Sequence, residues 1–215
     1  MHLTRDEIQK AVVRSQHCQR NWDISKEIPE EDLQLLAHAA TQCPSKQNIA
    51  YYDVYFITNR NLIESIHNNT KGFFINGEHR TNSQVLANLL IVFADKNLED
   101  VANKIEVESF HRNAEIDTLT YERIVTPVIE RDSNMAIGIA AGYVNLTSSL
   151  LGYRTGCCAC FDGASIQQLL NSNTVRLLMG VGYSDDNRPR REHHMDSNLT
   201  FPTLRKQEIN YNIIK

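Results

Sequence analysis

One domain that mixes helices with strands around a single core is the architecture the sequence predicts. Three observations lead to it. The 215 residues are 41% hydrophobic and 22% charged, a composition that supplies one sizeable core. The apolar run LLIVFA, 89–94, reads as a buried strand. The weakly charged stretch from Asp132 to Asp162, DSNMAIGIAAGYVNLTSSLLGYRTGCCACFD, reads as a buried helix delivering its end to a cysteine-rich turn.

The elements follow in order. Thr4 and Glu7 form a capping box ahead of a first helix from Asp6 to about Gln19, with Ile8, Val12 and Ser15 on one side. Arg14 and His17, three apart, share a face, and Arg20 lies just beyond in the loop. Pro29 with Glu30, Glu31 and Asp32 starts a second helix, because proline suits the first turn and the acids suit its positive end. Leu33, Leu36, Ala37 and Ala40 form its buried stripe, and it stops at Cys43-Pro44. The polar loop PSKQN follows, then a strand within YYDVYFIT, 51–58. Asn59 caps a short helix around Leu62 to His67, and a Gly- and Asn-rich loop region runs on to Asn82.

After the LLIVFA strand, Asn97 to Ile129 is mixed and charged, a peripheral region with a helix and a possible role as a lid. The central helix from Met135 to Leu151 is expected to be the most buried. Gly138 and Gly142, four apart, would admit another backbone closely. Ser165 to Leu170 is a short helix and VRLLMGVGY from Val175 a strand. The chain then leaves the core through SDDNRPRREHHM into a tail with little core of its own.

A formal net charge of −4 gives no global basic field, which argues against nucleic acid as the main partner. The segment MHLTRDEIQKAVV lacks the basic-then-apolar order of a signal peptide, and no apolar run is long enough to span a bilayer. A cytoplasmic protein with no membrane anchor is expected. Five cysteines are too few for a secreted disulfide scaffold, and the adjacent pair Cys157-Cys158 is awkward to bridge, so free thiols are expected.

Three constellations carry chemistry, each with a plain alternative. Arg188, Arg190 and Arg191 follow a strand end, where guanidinium groups can fork onto a phosphate ester; alone, they read more readily as a solvated charge run. Cys157, Cys158 and Cys160 with His193 and His194 give no matching zinc knuckle, and a nucleophilic cysteine would need a base that sequence does not reveal. Small buried side chains at a crowded turn are the simpler reading. Pro44, Ser45, Lys46, Gln47 and Asn48 can present donors to a flat heteroaromatic ligand, as any polar helix-to-strand loop can. The same holds for Arg80, Asn82, Ser83 and Gln84.

Taken in order, these segments resemble the nitroreductase family of flavoproteins. QHCQRNW, Gln16 to Trp22, stands where the family has an Arg-x-Ser-x-Arg-like phosphate signature. PSKQN matches its PSxxN. NSQVLANLLIVF resembles its Asn/Gln-bearing approach to a core strand, and TGCCACFD its flavin-edge turn. GVGY followed by RPRR resembles its C-terminal phosphate-binding arginines. The similarity runs from Arg14 to Arg191.

The resemblance implies an α+β fold: a central mixed, mainly antiparallel sheet flanked by helices, with a C-terminal extension of about residues 192–215 exchanged in a homodimer. It implies FMN at the dimer interface and NADH or NADPH as electron donor. Nitroaromatics, quinones or similar small acceptors would be reduced by ping-pong hydride transfer, with no catalytic side chain because FMN carries the chemistry. The phosphate falls to Arg188, Arg190 and Arg191 with His17 and Arg20, joined by Arg14. The ring edge falls to Ser45, Asn48, Asn82 and the backbone of Cys158, Ala159 and Cys160, with Pro44 in the same loop and Lys46 or Gln84 facing the pyrimidine carbonyls. Where many relatives carry arginine and serine this chain has Gln16 and Cys18, so Arg14 or the RPRR loop takes more of the phosphate charge. Ala159 or Cys160 replaces an acidic residue that some relatives place on the turn. A flavin-fragmenting or dehalogenating relative stays open as an alternative, as does a non-catalytic flavin-binding redox sensor.

Overall fold

The computed structural model describes residues 3–75, 78–80, 82–97, 100–101, 126–193, 196–200 and 206–214. In chain order the elements are α1 (Arg5–Ser15), α2 (Glu30–Thr41), β1 (Tyr52–Ile57), α3 (Arg60–Asn68), β2 (Phe73–Ile75), β3 (Glu78–Arg80) and β4 (Leu89–Asp95). Then come α4 (Thr126–Leu150), β5 (Arg154–Cys158), α5 (Gly163–Leu170), β6 (Val175–Gly182), β7 (Glu192–His193) and β8 (Asp196–Thr200). Short 3-10 turns lie at Lys46–Asn48 and Ser83–Val85.

Strands β1, β4, β6 and β5 form one antiparallel sheet in that order, so β1 and β5 are its two edges. The unbroken apolar run of β4 has a simple cause, since both faces of the sheet are covered. Leu89, Ile91 and Phe93 pack with Leu36 and Ala40 of α2 and Ile137, Ala140 and Val144 of α4. Leu90, Val92 and Ala94 turn the other way, toward Ile63 and Ile66 of α3 and Ile166 of α5. The result is an α+β fold, a helix-flanked antiparallel sheet.

The helix starts follow local chemistry. Thr4 and Glu7 close the expected capping box. Asn59 accepts from the Leu62 amide at 3.0 Å, and Asp162 caps α5. Pro29 stands at the N-cap of α2 ahead of three acids.

Six expectations change. The first helix ends at Ser15 rather than Gln19, because residues 18–20 are drawn out by pairing elsewhere. The loop region from His67 to Asn82 contains the hairpin β2/β3. The central helix begins at Thr126, where Pro127 suits the first turn, and apolar periodicity does not register its polar opening. It is also not buried all round: Met135 is 61% exposed, and Ile139 and Tyr143 share that open side. Gly138 and Gly142 have nothing within 4 Å of an added Cβ, so no backbone among the described residues packs there. Finally, Cys157 and Cys158 belong to β5; the turn after α4 is made by Gly152, whose φ of 92° favours glycine.

Much of the charged region after Asn97, residues 98–99 and 102–125, lies outside the described residues. No helix among the described residues is long and apolar enough to cross a membrane. Residues 206–214 have no regular secondary structure, with Ile209, Tyr211, Ile213 and Ile214 exposed.

Candidate functional site

Beyond the C-cap of α1 at Gln16, the chain is stitched between β5 and the RPRR loop. Cys18 bridges Thr155 in parallel on the free edge of β5, and the Gln19 amide donates to the Thr155 carbonyl at 2.8 Å. On the other side, the Arg20 amide donates to the Arg190 carbonyl at 3.1 Å. Asn21 Nδ2 donates to the carbonyls of Pro189 at 2.9 Å and Glu192 at 2.6 Å. Gly156 permits this approach: a Cβ there would lie 2.6 Å from the Gln19 carbonyl oxygen and 2.7 Å from Gln84 Cβ.

This stitching gathers cations around a cavity of about 320 Å³, lined among others by Arg14, His17, Gln19, Arg154, Arg188 and Arg190. Arg14 Nη2 donates to the Ser149 carbonyl at 2.8 Å, and Arg190 Nη1 to the Cys18 carbonyl at 3.1 Å. Arg188 forks onto Glu192 Oε1 at 2.7 and 2.6 Å. Asp185 and Asp186 form part of the wall. Burial, and then the charges of Arg190 and Arg154, hold the His17 pKa below its usual value, so the imidazole is neutral near pH 7. The cavity can therefore accept an anion from several guanidinium groups at once.

Gln16, exposed, and Arg20 and Arg191 are not among the lining residues. The latter two lie near Cys18, with Arg190: burial pushes the Cys18 thiol up, against the pull of these three guanidiniums.

A second cluster begins at Arg20, whose Nη1 donates to Gln84 Oε1 at 2.6 Å. Gln84 Nε2 donates in turn toward Asn82 Oδ1 and the Cys157 carbonyl, both at 3.4 Å. Asn82 Nδ2 reaches the carbonyls of Lys71 at 2.8 Å and Cys160 at 3.2 Å. Buried Asn82 and Gln84 thus fix the end of β5 against the turn before β4. Burial pushes the Cys158 thiol up to about 11, while Ala159 and Cys160 face outward. All five cysteines are free. Cys157 and Cys160 do stand in CxxC spacing, so an absence of that motif is no argument against a metal; no group of three metal-ligating side chains occurs among the described residues. His194 lies outside the described residues.

The PSKQN loop sits elsewhere. After Pro44, Ser45 Oγ donates to the Ile49 carbonyl at 2.7 Å, and Gln47 and Asn48 adopt left-handed φ values of 55° and 54°. Lys46 Nζ is held on Asp132 Oδ2 at 2.6 Å. Ser45 and Asn48 line a groove of about 670 Å³ with Tyr52 and Val54 of β1. That is the edge opposite β5, roughly 14 Å away across three strand spacings. The structure therefore brings Arg14, His17, Arg188 and Arg190 together, and Arg20, Asn82, Gln84 and residues 158–160 together, but leaves Ser45, Lys46 and Asn48 apart from both.

Arg154 was not anticipated. Its sequence signal is faint, the one cation between Arg131 and Arg176. The pairing of residues 18 and 155 that gives it meaning is invisible in the local pattern.

Comparison with solved structures finds the same fold. The nitroreductase family protein from Streptococcus pneumoniae TIGR4 superposes with a TM-score of 0.61 at 19% identity, over 95% of this chain and 96% of that one. A structure from Exiguobacterium sibiricum 255-15 in complex with FMN gives 0.64 at 16% identity, over 96% and 95%. The NADPH:FMN oxidoreductase from Vibrio harveyi complexed with NAD+ gives 0.62 at 14%, over 95% and 80%. No curated protein sequence matches. The family model of the nitroreductases matches residues 13–183, which take in α1's last turn, Arg14, His17 and Arg154 of the cavity wall and the whole four-stranded sheet, and the chain belongs to the nitroreductase family.

Proposed function

We propose that the protein is a homodimeric FMN-dependent oxidoreductase that uses NADH or NADPH to reduce nitroaromatics, quinones or similar small acceptors. The observation that carries this reading is the convergence of Arg14, His17, Arg154, Arg188 and Arg190 on one cavity, next to the buried Arg20–Gln84–Asn82 cluster. FMN asks for both features, a cationic socket for a dianionic phosphate and fixed polar groups along a flat ring. The FMN and NAD+ complexes among the structural relatives support the same cofactors.

When bound, FMN supplies the hydride chemistry. The chain's own residues position it. The arginines and His17 hold the phosphate, while Asn82, Gln84 and the backbone of residues 158–160 face the ring edge. Arg20, fixed by Gln84, sets a positive charge beside the ring, where it favours charge that develops on reduction. Ser45, Lys46 and Asn48 would complete the site from the partner subunit, because within one chain they lie on the opposite sheet edge. The open side of α4, the exposed Ile8 and Val12 of α1 and the apolar tail at Ile209, Tyr211, Ile213 and Ile214 offer the contact surface.

One absorption spectrum tests the reading. Purified protein is expected to be yellow, to bleach with NADH or NADPH, and to recover its colour when a quinone or nitroaromatic is added. Initial rates at varied donor and acceptor should give the parallel lines of a ping-pong reaction. Colourless protein with no affinity for FMN overturns the proposal.

A further inference from the structure

We propose that Arg154 makes this pocket selective for a phosphorylated flavin over an unphosphorylated one, an inference that rests on the flavin reading above. The other three guanidiniums on the cavity wall already have partners within the chain. Arg14 holds the Ser149 carbonyl, Arg190 the Cys18 carbonyl, and Arg188 the Glu192 carboxylate. The guanidinium of Arg154, half-buried at the start of β5, makes no hydrogen bond or ion pair with another described residue. The two carboxylates of the wall do not neutralise it either. Asp186 accepts from Ser184 Oγ at 2.9 Å and Asp185 from the Asn187 amide at 3.0 Å, and neither forms an ion pair with Arg154.

Its neighbours sharpen the point. Burial lowers the Arg190 pKa first, and repulsion from Arg191 and then Arg154 adds to it; the same two-part cause, burial and then Arg190 and Arg154, acts on His17. Like charges facing one cavity destabilise each other until an anion neutralises them. The position is also rigid. Thr155, the next residue, is held by the Gln19 amide at 2.8 Å and donates to Asn145 Oδ1 at 2.5 Å, and Arg154 itself pairs with Gly182 in the sheet. Gln16 is exposed and off the cavity wall, whereas Arg154 reaches the cavity from the edge of the sheet.

Wild type, R154Q and R154K can each be titrated with FMN and with riboflavin, which lacks the phosphate, following the quenching of flavin fluorescence. Wild type should bind FMN more tightly than riboflavin. R154Q should raise the Kd for FMN by roughly 10- to 100-fold, the worth of a charge-assisted hydrogen bond, and leave the Kd for riboflavin unchanged. R154K should fall between, because a point charge lacks the planar fork. An unchanged FMN affinity in R154Q overturns the inference, as does equal weakening of both ligands, which would mark Arg154 as merely structural. A wild type that binds neither flavin overturns the flavin reading itself, a separate and recognisable failure.

Discussion

Arg20 donates through Nη1 to Oε1 of Gln84 at 2.6 Å and so ties the stretch after α1 to the turn that precedes β4. Gln84 is 4% exposed, so water cannot replace it. Gln84→Leu keeps the volume but removes the acceptor of Nη1 on a half-buried guanidinium, at a cost of about 1.5–3 kcal/mol. Urea denaturation should show a lower midpoint with an unchanged slope. A midpoint equal to wild type would mean the pair contributes nothing to stability.

Asp132 carries the acid sensitivity of α4. Burial pushes its carboxyl up, but hydrogen bonds and charge from Lys46 and Arg131 outweigh burial and hold it below the usual carboxylate range. A depressed folded-state pKa contributes stability that is complete above the unfolded value, near 4, and disappears as pH falls through the folded one. Asp132→Asn should be less stable than wild type at pH 7 and lose less on going to pH 3. Parallel stability curves for the two proteins would refute this.

Two glycines should behave oppositely. A Cβ on Gly180 would lie 2.1 Å from the Gln84 carbonyl oxygen, so Gly180→Ala should cost about 3 kcal/mol or prevent folding. Gly142 faces open space on α4, so Gly142→Leu should leave the fold of the single chain intact and gain up to roughly 1 kcal/mol of helix propensity. In the proposed dimer the same change should shift the sedimentation profile toward monomer. An undisturbed dimer would remove α4 from the interface.

The thiols should separate by reactivity. Cys160 is exposed, whereas burial pushes the thiols of both Cys157, whose residue still has accessible surface, and Cys158, which is buried, up to about 11. Iodoacetamide on folded protein should therefore modify Cys160 first and Cys158 last, with denaturant abolishing the difference. Peptide mass spectrometry reads the order directly, and early labelling of Cys158 would contradict the burial.

The parts legible in the sequence are those governed by short-range rules. Thr4 with Glu7, and Asn59 before Leu62, announce helix starts because the cap and its acceptor are three residues apart. LLIVFA announces a strand covered on both faces. The strand TGCC reads as a turn because a glycine followed by two cysteines shows no alternation; its identity comes from pairing with β6 and from Cys18. The same long-range contact conceals Arg154. The open side of α4 is not legible because an all-round apolar helix looks alike in sequence whether its outer face is covered or open.

Ser45 and Asn48 border β1, and the arginine-lined cavity borders β5, at the two margins of one sheet. In the proposed dimer, each protomer would lend one margin to each of two symmetry-related sites, so neither site could exist in a solitary chain. Dilution would then dismantle both together, and cofactor retention would rise and fall with the square of free protomer concentration. Mixing a chain damaged at Ser45 and Asn48 with one damaged at Arg190 would regenerate one undamaged site per mixed pair, out of two chains each inert alone.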